Sequence, residues 1–544
     1  MNIGELLIIF SFILTIASAF TYYLLLKGES GQISGETISS PRLKIARYCF
    51  YGAALLVSVA SIYLMVLIFT HQFQFAYVYQ YSSRELPVGF LISTFWAGQE
   101  GSFLLWAFFM AVMGVVFSKT AKEFEFHGMF TFAIIQAFFL VLLIKASPFR
   151  LLAQAPANGA GLNPLLQNFW MVIHPPMLFL GYAAIAVPFS IAIAALAKKD
   201  YRNFVAQSLP WTLFSSFALG AGIILGGFWA YVTLGWGGYW GWDPVENSSL
   251  IPWITILALL HGLIVQNVTG SLKKSNFFLA IFSFVLVIYA TFLTRSGVLE
   301  DFSVHSFQNL GINLYLIVFI LTMIVIGLVV FFKRYREIPN HPVDFSSLNR
   351  ENIILMSMLI MVVSTALIFV CTSSPILTGL TGQSSQVGVS YYNKVNFPIA
   401  IIMALLLGFA PFSRWKEDGF TGLLKGTLPS LILTIATTII IAVFTPLSLS
   451  RIIFLAAALF ALFSNSIVFL RYLKTNWRLI SAPLSHVGVA LMLLGIIISG
   501  TSETNEKVLL EQNIPQKVLD YKLEYTGITS VSNGKDILNI KVSG

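Results

Sequence analysis

The chain has 544 residues, of which 57% are hydrophobic and only 10% are charged, and its mean hydropathy is +0.82. Soluble domains carry roughly 25% charged residues, so this composition excludes soluble enzymes, nucleic-acid-binding proteins and disordered proteins, and it indicates a polytopic membrane protein. The two cysteines, Cys49 and Cys371, form no CxxC or CxxCH pattern. The chain is therefore not itself a c-type cytochrome or a zinc protein.

Apolar stretches of about 20 residues, separated by short polar loops, predict an all-α bundle of fourteen transmembrane helices. The predicted spans are 4–26, 46–69, 96–118, 127–145, 174–197, 209–231, 248–268, 277–295, 311–332, 352–372, 397–413, 427–446, 451–470 and 482–500. Residues 1–500 would form the bundle. Alternating polar and apolar residues in 501–544 predict a short β-rich segment, which we expect to be an incomplete domain.

The basic residues predict how the bundle lies in the membrane. The odd-numbered connections hold 21 Lys and Arg residues and the even-numbered connections hold 6. Because cytoplasmic loops carry the excess of Lys and Arg, the odd-numbered loops are predicted to be cytoplasmic. The N-terminus, the even-numbered loops and the C-terminal tail would then lie outside. The net charge of +9 records this sidedness rather than an anionic partner, and we expect no nucleic acid to bind.

One outside loop, 232–247, is rich in tryptophan. Trp236, Trp240 and Trp242 lie within seven residues and alternate with glycines, which let a flat ligand approach the backbone. This pattern favours a ligand platform, although tryptophans also collect in belts at membrane interfaces. The next residues, from Asp243 to Glu246, form a good helix start, and we interpret both carboxylates mainly as helix caps.

Two histidines are predicted at similar depth near the cytoplasmic side. His261 lies about seven residues from the end of span seven, on the order of 10 Å deep. His486 lies about four residues into span fourteen, on the order of 6 Å deep. Two imidazoles facing each other across a bundle can bind one heme b iron. A hydrogen-bonded structural histidine remains the alternative for each of them.

A second pair is predicted on the outside. His174 precedes Pro175 and Pro176, which favours a non-helical, rigid position over the outside face of span five. His305 lies in the outside loop after span eight. With the Trp loop on the same side, a flat ring could lie on the tryptophans with one histidine on each face of its iron. The alternative is again a structural role. His71, His127 and His341 have no partner by this argument.

Several motifs together resemble the WWD heme-handling family, and within it the CcmF family of cytochrome c heme lyase subunits. They are Trp96-Ala-Gly-Gln-Glu100-Gly-Ser, Asn163-Pro-Leu-Leu-Gln, His174-Pro-Pro, the Trp loop with Asp243, Arg295-Ser-Gly-Val-Leu, Ser-Val-His305 and Pro483-Leu-Ser-His486. A close relative dedicated to nitrite reductase maturation has almost the same motifs. Members usually carry a larger outside domain and a final helix, whereas this chain ends at Gly544.

The resemblance implies a heme lyase of the bacterial or archaeal cytoplasmic (inner) membrane. It implies that His174 and His305 hold a transient heme on the tryptophans, and that His261 and His486 hold a permanent heme b. The implied partners are the heme chaperone CcmE, apocytochrome c, its thiol-handling chaperone CcmH, and quinol. Arg295 would either pair a heme propionate or cap span eight.

Three alternatives remain open on the sequence. A heme exporter or relay would bind heme without attaching it. A b-heme quinol-oxidising subunit would need a second membrane histidine pair or a docking surface for an electron carrier. An ion-translocating subunit would need mid-membrane chains of Lys or Glu residues, and apart from Glu100 the sequence shows none at mid-membrane positions.

Overall fold

A computed structural model describes residues 1–29, 41–234, 238–303, 305–307, 309–339, 341–345, 349–415, 420–502, 508–531 and 535–544. The described residues include seventeen α-helices. They are α1 (Ile3–Glu29), α2 (Pro41–Phe69), α3 (Ala76–Tyr81), α4 (Val88–Ala97), α5 (Gln99–Thr120), α6 (Glu125–Lys145), α7 (Phe169–Lys198), α8 (Asn203–Thr233), α9 (Pro244–Thr269), α10 (Lys273–Arg295), α11 (Asn313–Arg334), α12 (Arg350–Thr372), α13 (Ser374–Gly379), α14 (Val389–Phe409), α15 (Phe420–Phe444), α16 (Leu449–Thr475) and α17 (Ser481–Ser502).

Fourteen of these helices, all except α3, α4 and α13, are long and apolar enough to cross a membrane, which confirms the predicted number of spans. The predicted boundaries are less accurate. Helix α14 begins at Val389 rather than at 397, because the polar segment before Pro398 continues the helix. Helix α7 begins at Phe169 and passes through Pro175 and Pro176, so His174 lies inside a helix. The prediction of a non-helical His174 is therefore wrong.

Glycines allow α7 and α8 to pack unusually closely. A Cβ atom on Gly181 would lie 2.6 Å from the Cα atom of Leu219, and a Cβ atom on Gly222 would lie 2.7 Å from the backbone nitrogen of Leu178. Only glycine leaves room for such a backbone approach, the usual device by which membrane helices pack without a hydrophobic driving force. This contact brings the first turns of α7 against the last turns of α8, where the candidate site lies.

The first eleven helices share one continuous apolar core, whereas α14, α16 and α17 surround a smaller cluster that includes Phe454, Leu459 and Ile497. Helix α12 lies between the two groups, since it packs on α9 of the first group and on α14 of the second. Helix α17 packs mainly on α16. The two predicted membrane histidines therefore belong to different groups of helices.

A buried ion pair fixes the end of the bundle opposite to the Trp loop. The guanidinium of Arg47 on α2 donates to both carboxylate oxygens of Glu125 on α6, at 2.7 and 2.6 Å. The hydroxyl of Tyr22 on α1 donates to the same carboxylate at 3.2 Å. The Glu125 carboxylate, which is almost fully buried, thus joins three helices through the bidentate pair and the tyrosine hydroxyl.

The C-terminal segment forms the predicted small sheet. Strands β1 (Gln516–Val518), β2 (Tyr521–Val531) and β3 (Lys535–Ser543) pair as an antiparallel meander in the order β1-β2-β3. Within the described part of these strands the side chains are mostly exposed, and Val518 is the buried one.

Candidate functional site

A cavity opens at the end of the bundle where α7, α8, α9 and α10 meet the Trp loop. Its empty space, including solvent at its open mouth, is about 680 Å³. Its wall is mostly apolar and aromatic, with a few polar groups. It is lined by Trp106, His174, Leu178, Phe179, Tyr182, Ile223, Gly226, Gly227, Trp229, Trp240, Val245, Glu246, Ser248, Ser249, Thr291, Thr294, Arg295 and His305. His174 and His305, predicted to act together, thus line the same cavity.

His174 contacts α8 at two glycines. Its Nδ1 atom lies 2.7 Å from the carbonyl oxygen of Gly222, and because a carbonyl only accepts, Nδ1 carries the hydrogen. A Cβ atom on Gly226 would lie 2.6 Å from Cε1 of the imidazole, so the ring occupies space that only a glycine leaves open. The remaining ring nitrogen, Nε2, is then the one that can bind a metal.

Trp96 explains why α7 can continue through Pro175. A proline has no N–H, so it leaves the carbonyl four residues earlier, that of Met171, without its helical partner. The indole Nε1 of Trp96 donates to this carbonyl oxygen at 3.1 Å. In a membrane an unpaired carbonyl is costly, and this hydrogen bond removes that cost. The Trp96 motif therefore supports the helix turn that carries His174.

The same motif contains a helix break between α4 and α5. The backbone N–H of Gly98 donates to the hydroxyl of Tyr77 at 3.1 Å, and that hydroxyl lies 2.9 Å from the carbonyl oxygen of Phe95. Burial raises the pKa of Tyr77, so the hydroxyl stays protonated and can donate. A Cβ atom on Gly101 would collide with the Phe95 carbonyl at 2.0 Å. The glycines of the motif thus permit the bend.

His305 is held by three neighbours. Its Nδ1 atom lies 3.2 Å from Oδ1 of Asp243, and its backbone N–H donates to the Ser303 hydroxyl at 3.1 Å. Its ring packs edge-on against the indole of Trp229, with ring centres 5.2 Å apart. Trp229 is itself fixed, because its Nε1 donates to the Leu165 carbonyl within the Asn163-Pro-Leu-Leu-Gln motif.

Of the three tryptophans of the predicted platform, Trp240 and Trp242 lie in edge-on contact, with ring centres 6.1 Å apart. Trp240 lines the cavity. Trp242, with a positive φ of 53°, stacks on Tyr392 of α14 at 5.0 Å and donates from Nε1 to Asn393. Trp236 lies outside the described residues. Of the described pair, Trp240 is thus the one placed at the cavity, while Trp242 joins the Trp loop to α14.

Asp243 and Glu246 form a capping box at the start of α9. The carboxylate of Asp243 accepts from the backbone N–H groups of Val245 and Glu246. In return, the carboxylate of Glu246 accepts from the backbone N–H of Asp243. Glu246 also accepts from the N–H of Gly241 at 2.9 Å and lines the cavity. The interpretation of both carboxylates as caps is confirmed. In addition, Glu246 lines the cavity, and Asp243 lies against His305, which also lines it.

Arg295 lies both at the end of α10 and at the cavity. It is the last residue of α10, a favourable place for a cation, and it is 8% exposed and lines the cavity. Its guanidinium lies 3.9 Å from the ring centre of Phe307. Its buried Nη1 atom has no hydrogen-bond partner among the described residues. Such a donor favours an anionic group on whatever the cavity binds.

The second predicted pair also meets. The imidazole rings of His261 on α9 and His486 on α17 are nearly parallel, at 8°, with centres 6.4 Å apart. The Nδ1 atom of His261 donates to the Leu257 carbonyl at 2.8 Å, which leaves Nε2 for a ligand. Two imidazoles that bind one metal at about 2 Å from opposite sides place their ring centres roughly 6 Å apart. The observed spacing therefore fits two axial ligands of one ion.

The two histidine pairs favour a metal ion that is already bound in a larger ligand. Among the described residues no group of three or more His, Cys, Asp or Glu side chains could hold a bare ion. Each site instead offers a pair of imidazoles. A porphyrin fills four equatorial positions and leaves two axial ones, so heme matches this set.

Comparison with known proteins places the molecule among membrane proteins of cytochrome c assembly. Residues 96–299 match the family described as "Cytochrome C assembly protein". The chain is 34% identical to CcmF of Pseudomonas fluorescens over 84% of this chain and 72% of the relative. It is 30% identical to CcmF of Haemophilus influenzae over 92% of this chain and 80% of the relative. It is 31% identical to NrfE of the same organism over 94% of this chain and 82% of the relative.

A solved structure described as "Cytochrome c Heme Lyase CcmF" superimposes with a TM-score of 0.75 at 25% identity, covering 99% of this chain and 84% of that one. The chain belongs to the CcmF family of cytochrome c-type biogenesis proteins. The likeness to NrfE is as extensive as that to CcmF, so the two branches are not separated by these similarities.

Some residues of the site were missed by sequence reasoning. Gly226 makes room for the His174 ring, and the carbonyl of Gly222 accepts from its Nδ1. The spacing of these glycines is a GxxxG pattern that signals close helix packing in membranes. Trp229 has no distinguishing signal in the sequence, since a single interfacial tryptophan is usually part of a belt. The contact between Asp243 and His305 had no signal in the sequence, since 62 positions separate the two residues.

Proposed function

We propose that this protein attaches heme to apocytochrome c in the cavity, with heme as the substrate. His174 and His305 would bind the iron, and Arg295 would bind a propionate. The observation that carries the proposal is a single cavity that joins two imidazoles, an unpartnered buried guanidinium nitrogen and the indole of Trp240. An iron, an anionic edge and a flat ring are the features of heme that these groups match.

The contribution of the protein to attachment is mainly orientation. Each cysteine of a CxxCH motif adds its S–H across a vinyl double bond, so that sulfur bonds to one carbon and the hydrogen ends on the other. This addition has no net electron change. Its rate depends on holding the vinyl groups and the thiols together. The residues around the cavity would fix the heme by its iron and its propionate, and they would leave the vinyl edge to the cytochrome.

His261 and His486 would hold a resident heme b, which supplies one-electron transfer when bound. Attachment needs ferrous iron, and we propose that quinol is the electron source. Helix α9 begins at the cavity and carries His261 seventeen residues further along, about 25 Å along its axis. One continuous helix thus connects the two predicted heme sites and would set their separation.

The proposed partners follow from this chemistry. The heme chaperone CcmE would deliver heme to the cavity, and CcmH would deliver the reduced apocytochrome. We also propose that the cavity opens on the outer face of a cytoplasmic membrane, because the even-numbered loops around it hold 6 of the Lys and Arg residues and the odd-numbered loops hold 21. The side-chain amide of Asn2 donates to the carbonyl of Phe149 in one of these even-numbered loops, which supports an outside N-terminus.

The test uses the full chain with heme, reductant and two peptides that differ only in having CxxCH or AxxAH. We expect covalent heme on the CxxCH peptide and none on the other, and a strong loss of product in His174→Ala and His305→Ala. Equal release of heme to both peptides, without thioether bonds, would instead establish a relay. Undiminished product in both histidine variants would overturn the assignment of the cavity.

A further inference from the structure

We infer that Asp243 is a positioning residue for His305 and makes His305 the stronger of the two imidazole donors in the cavity. This inference rests on the proposed binding of heme iron by His174 and His305. It assigns to the aspartate of the Trp loop a task beyond capping α9. The carboxylate connects the helix start to the loop that carries the histidine.

The contacts of Asp243 converge on one oxygen. Its Oδ1 atom accepts from the Ser303 hydroxyl at 2.7 Å and from the backbone N–H of Val245 at 2.8 Å. The Nδ1 atom of His305 lies 3.2 Å from the same oxygen. A carboxylate only accepts hydrogen bonds, so the Ser303 hydroxyl and the Val245 N–H are the donors here, and the imidazole of His305 lies in close contact with the same oxygen. Asp243 is 8% exposed, so these contacts lie in a buried environment.

Nδ1 of His305 therefore faces a negative charge, and a metal would bind at Nε2. A carboxylate on the far side of a ligating imidazole fixes the ring orientation and raises the basicity of the nitrogen that binds the metal. Ser303 adds a second connection, since its hydroxyl donates to Asp243 and accepts from the backbone of His305. The ring orientation is further limited by the edge-on contact with Trp229.

His174 has a different partner. Its Nδ1 donates to the peptide carbonyl of Gly222, a neutral acceptor. A carbonyl polarises an imidazole less than a carboxylate does. The two predicted axial ligands are therefore unequal. In the attached product the CxxCH histidine takes one axial position, so one of the two ligands must leave. The inequality favours release of His174, with His305 keeping the iron.

The test compares Asp243→Asn with Asp243→Ala in the purified full chain. Asparagine is as good a helix cap as aspartate, so Asp243→Asn removes the charge and keeps the cap. We expect its melting temperature without added heme to stay close to that of the wild type, while heme affinity at the cavity falls about 10- to 100-fold. The midpoint potential of the cavity heme should also rise. Asp243→Ala should lose both affinity and stability.

The matched control is Asn349→Ala, which removes the N-terminal cap of α12. It should lower the melting temperature and leave the potential of the cavity heme unchanged. The inference is overturned if Asp243→Asn binds heme with wild-type affinity and potential while His305→Ala does not bind it. If His305→Ala itself binds heme normally, it is the proposed function of the cavity that fails.

Discussion

Replacing Gly226 by alanine tests whether His174 must lie where it does. The added Cβ would lie 2.6, 2.8 and 3.2 Å from Cε1, Nδ1 and Nε2 of the imidazole. Ordinary contact between carbon atoms is about 3.5–4.0 Å, so the ring would have to withdraw by roughly 1 Å. A shift of about 1 Å at a reacting group can lower a rate on the order of 100-fold. We therefore expect about 100-fold slower heme attachment to a CxxCH peptide by Gly226→Ala, with the heme of His261 and His486 retained.

The sign of the stability change gives a second readout. A glycine-to-alanine change inside a helix normally stabilises it by about 1 kcal/mol, whereas overpacking costs about 1–3 kcal/mol. Gly495→Ala on α17, where an added Cβ meets nothing within 4 Å, is the matched control and should be neutral or stabilising. Attachment at the wild-type rate by Gly226→Ala would refute the argument that this contact sets the position of His174.

Three further sets of substitutions distinguish residues that stabilise the fold around the site from residues that bind heme. Trp96→Phe leaves the Met171 carbonyl unpaired and should cost about 1–3 kcal/mol in thermal unfolding; an unchanged melting temperature would contradict this role. Trp240→Ala should weaken heme binding in a titration, whereas Trp242→Ala should mainly lower the melting temperature; the reverse pattern would show that Trp242 is the platform. Glu125→Gln should destabilise the chain by about 3 kcal/mol, because it breaks a buried bidentate pair, and it should leave both heme spectra unchanged.

The number of spans could be predicted because membrane thickness imposes a length of apolar sequence. The same constraint placed His261 and His486 at matching depth, and their rings do meet. Boundaries were less predictable, since polar residues can continue a helix beyond the apolar stretch, as in α14. Proline was the other source of error. The sequence could not show that Trp96 supplies the hydrogen bond that lets α7 begin before Pro175.

The layout of the cavity depended on contacts between distant parts of the chain. Trp240 and Trp242 keep an edge-on contact, but Trp242, which has a positive φ, also stacks on Tyr392 of α14, and the sequence does not show this contact. The sequence predicted that Asp243 caps α9, and the structure confirms this. The second contact of Asp243, with His305, arises only because the loop after α10 folds back over the start of α9. Local sequence patterns contain no information on such a contact.

The most direct test is a heme count on the purified chain loaded with heme. We predict two hemes, each with two histidine ligands. The His261→Ala/His486→Ala double variant should keep only the heme in the cavity, and the His174→Ala/His305→Ala double variant should keep only the heme in the membrane. Two hemes with unchanged spectra in either double variant would contradict the account.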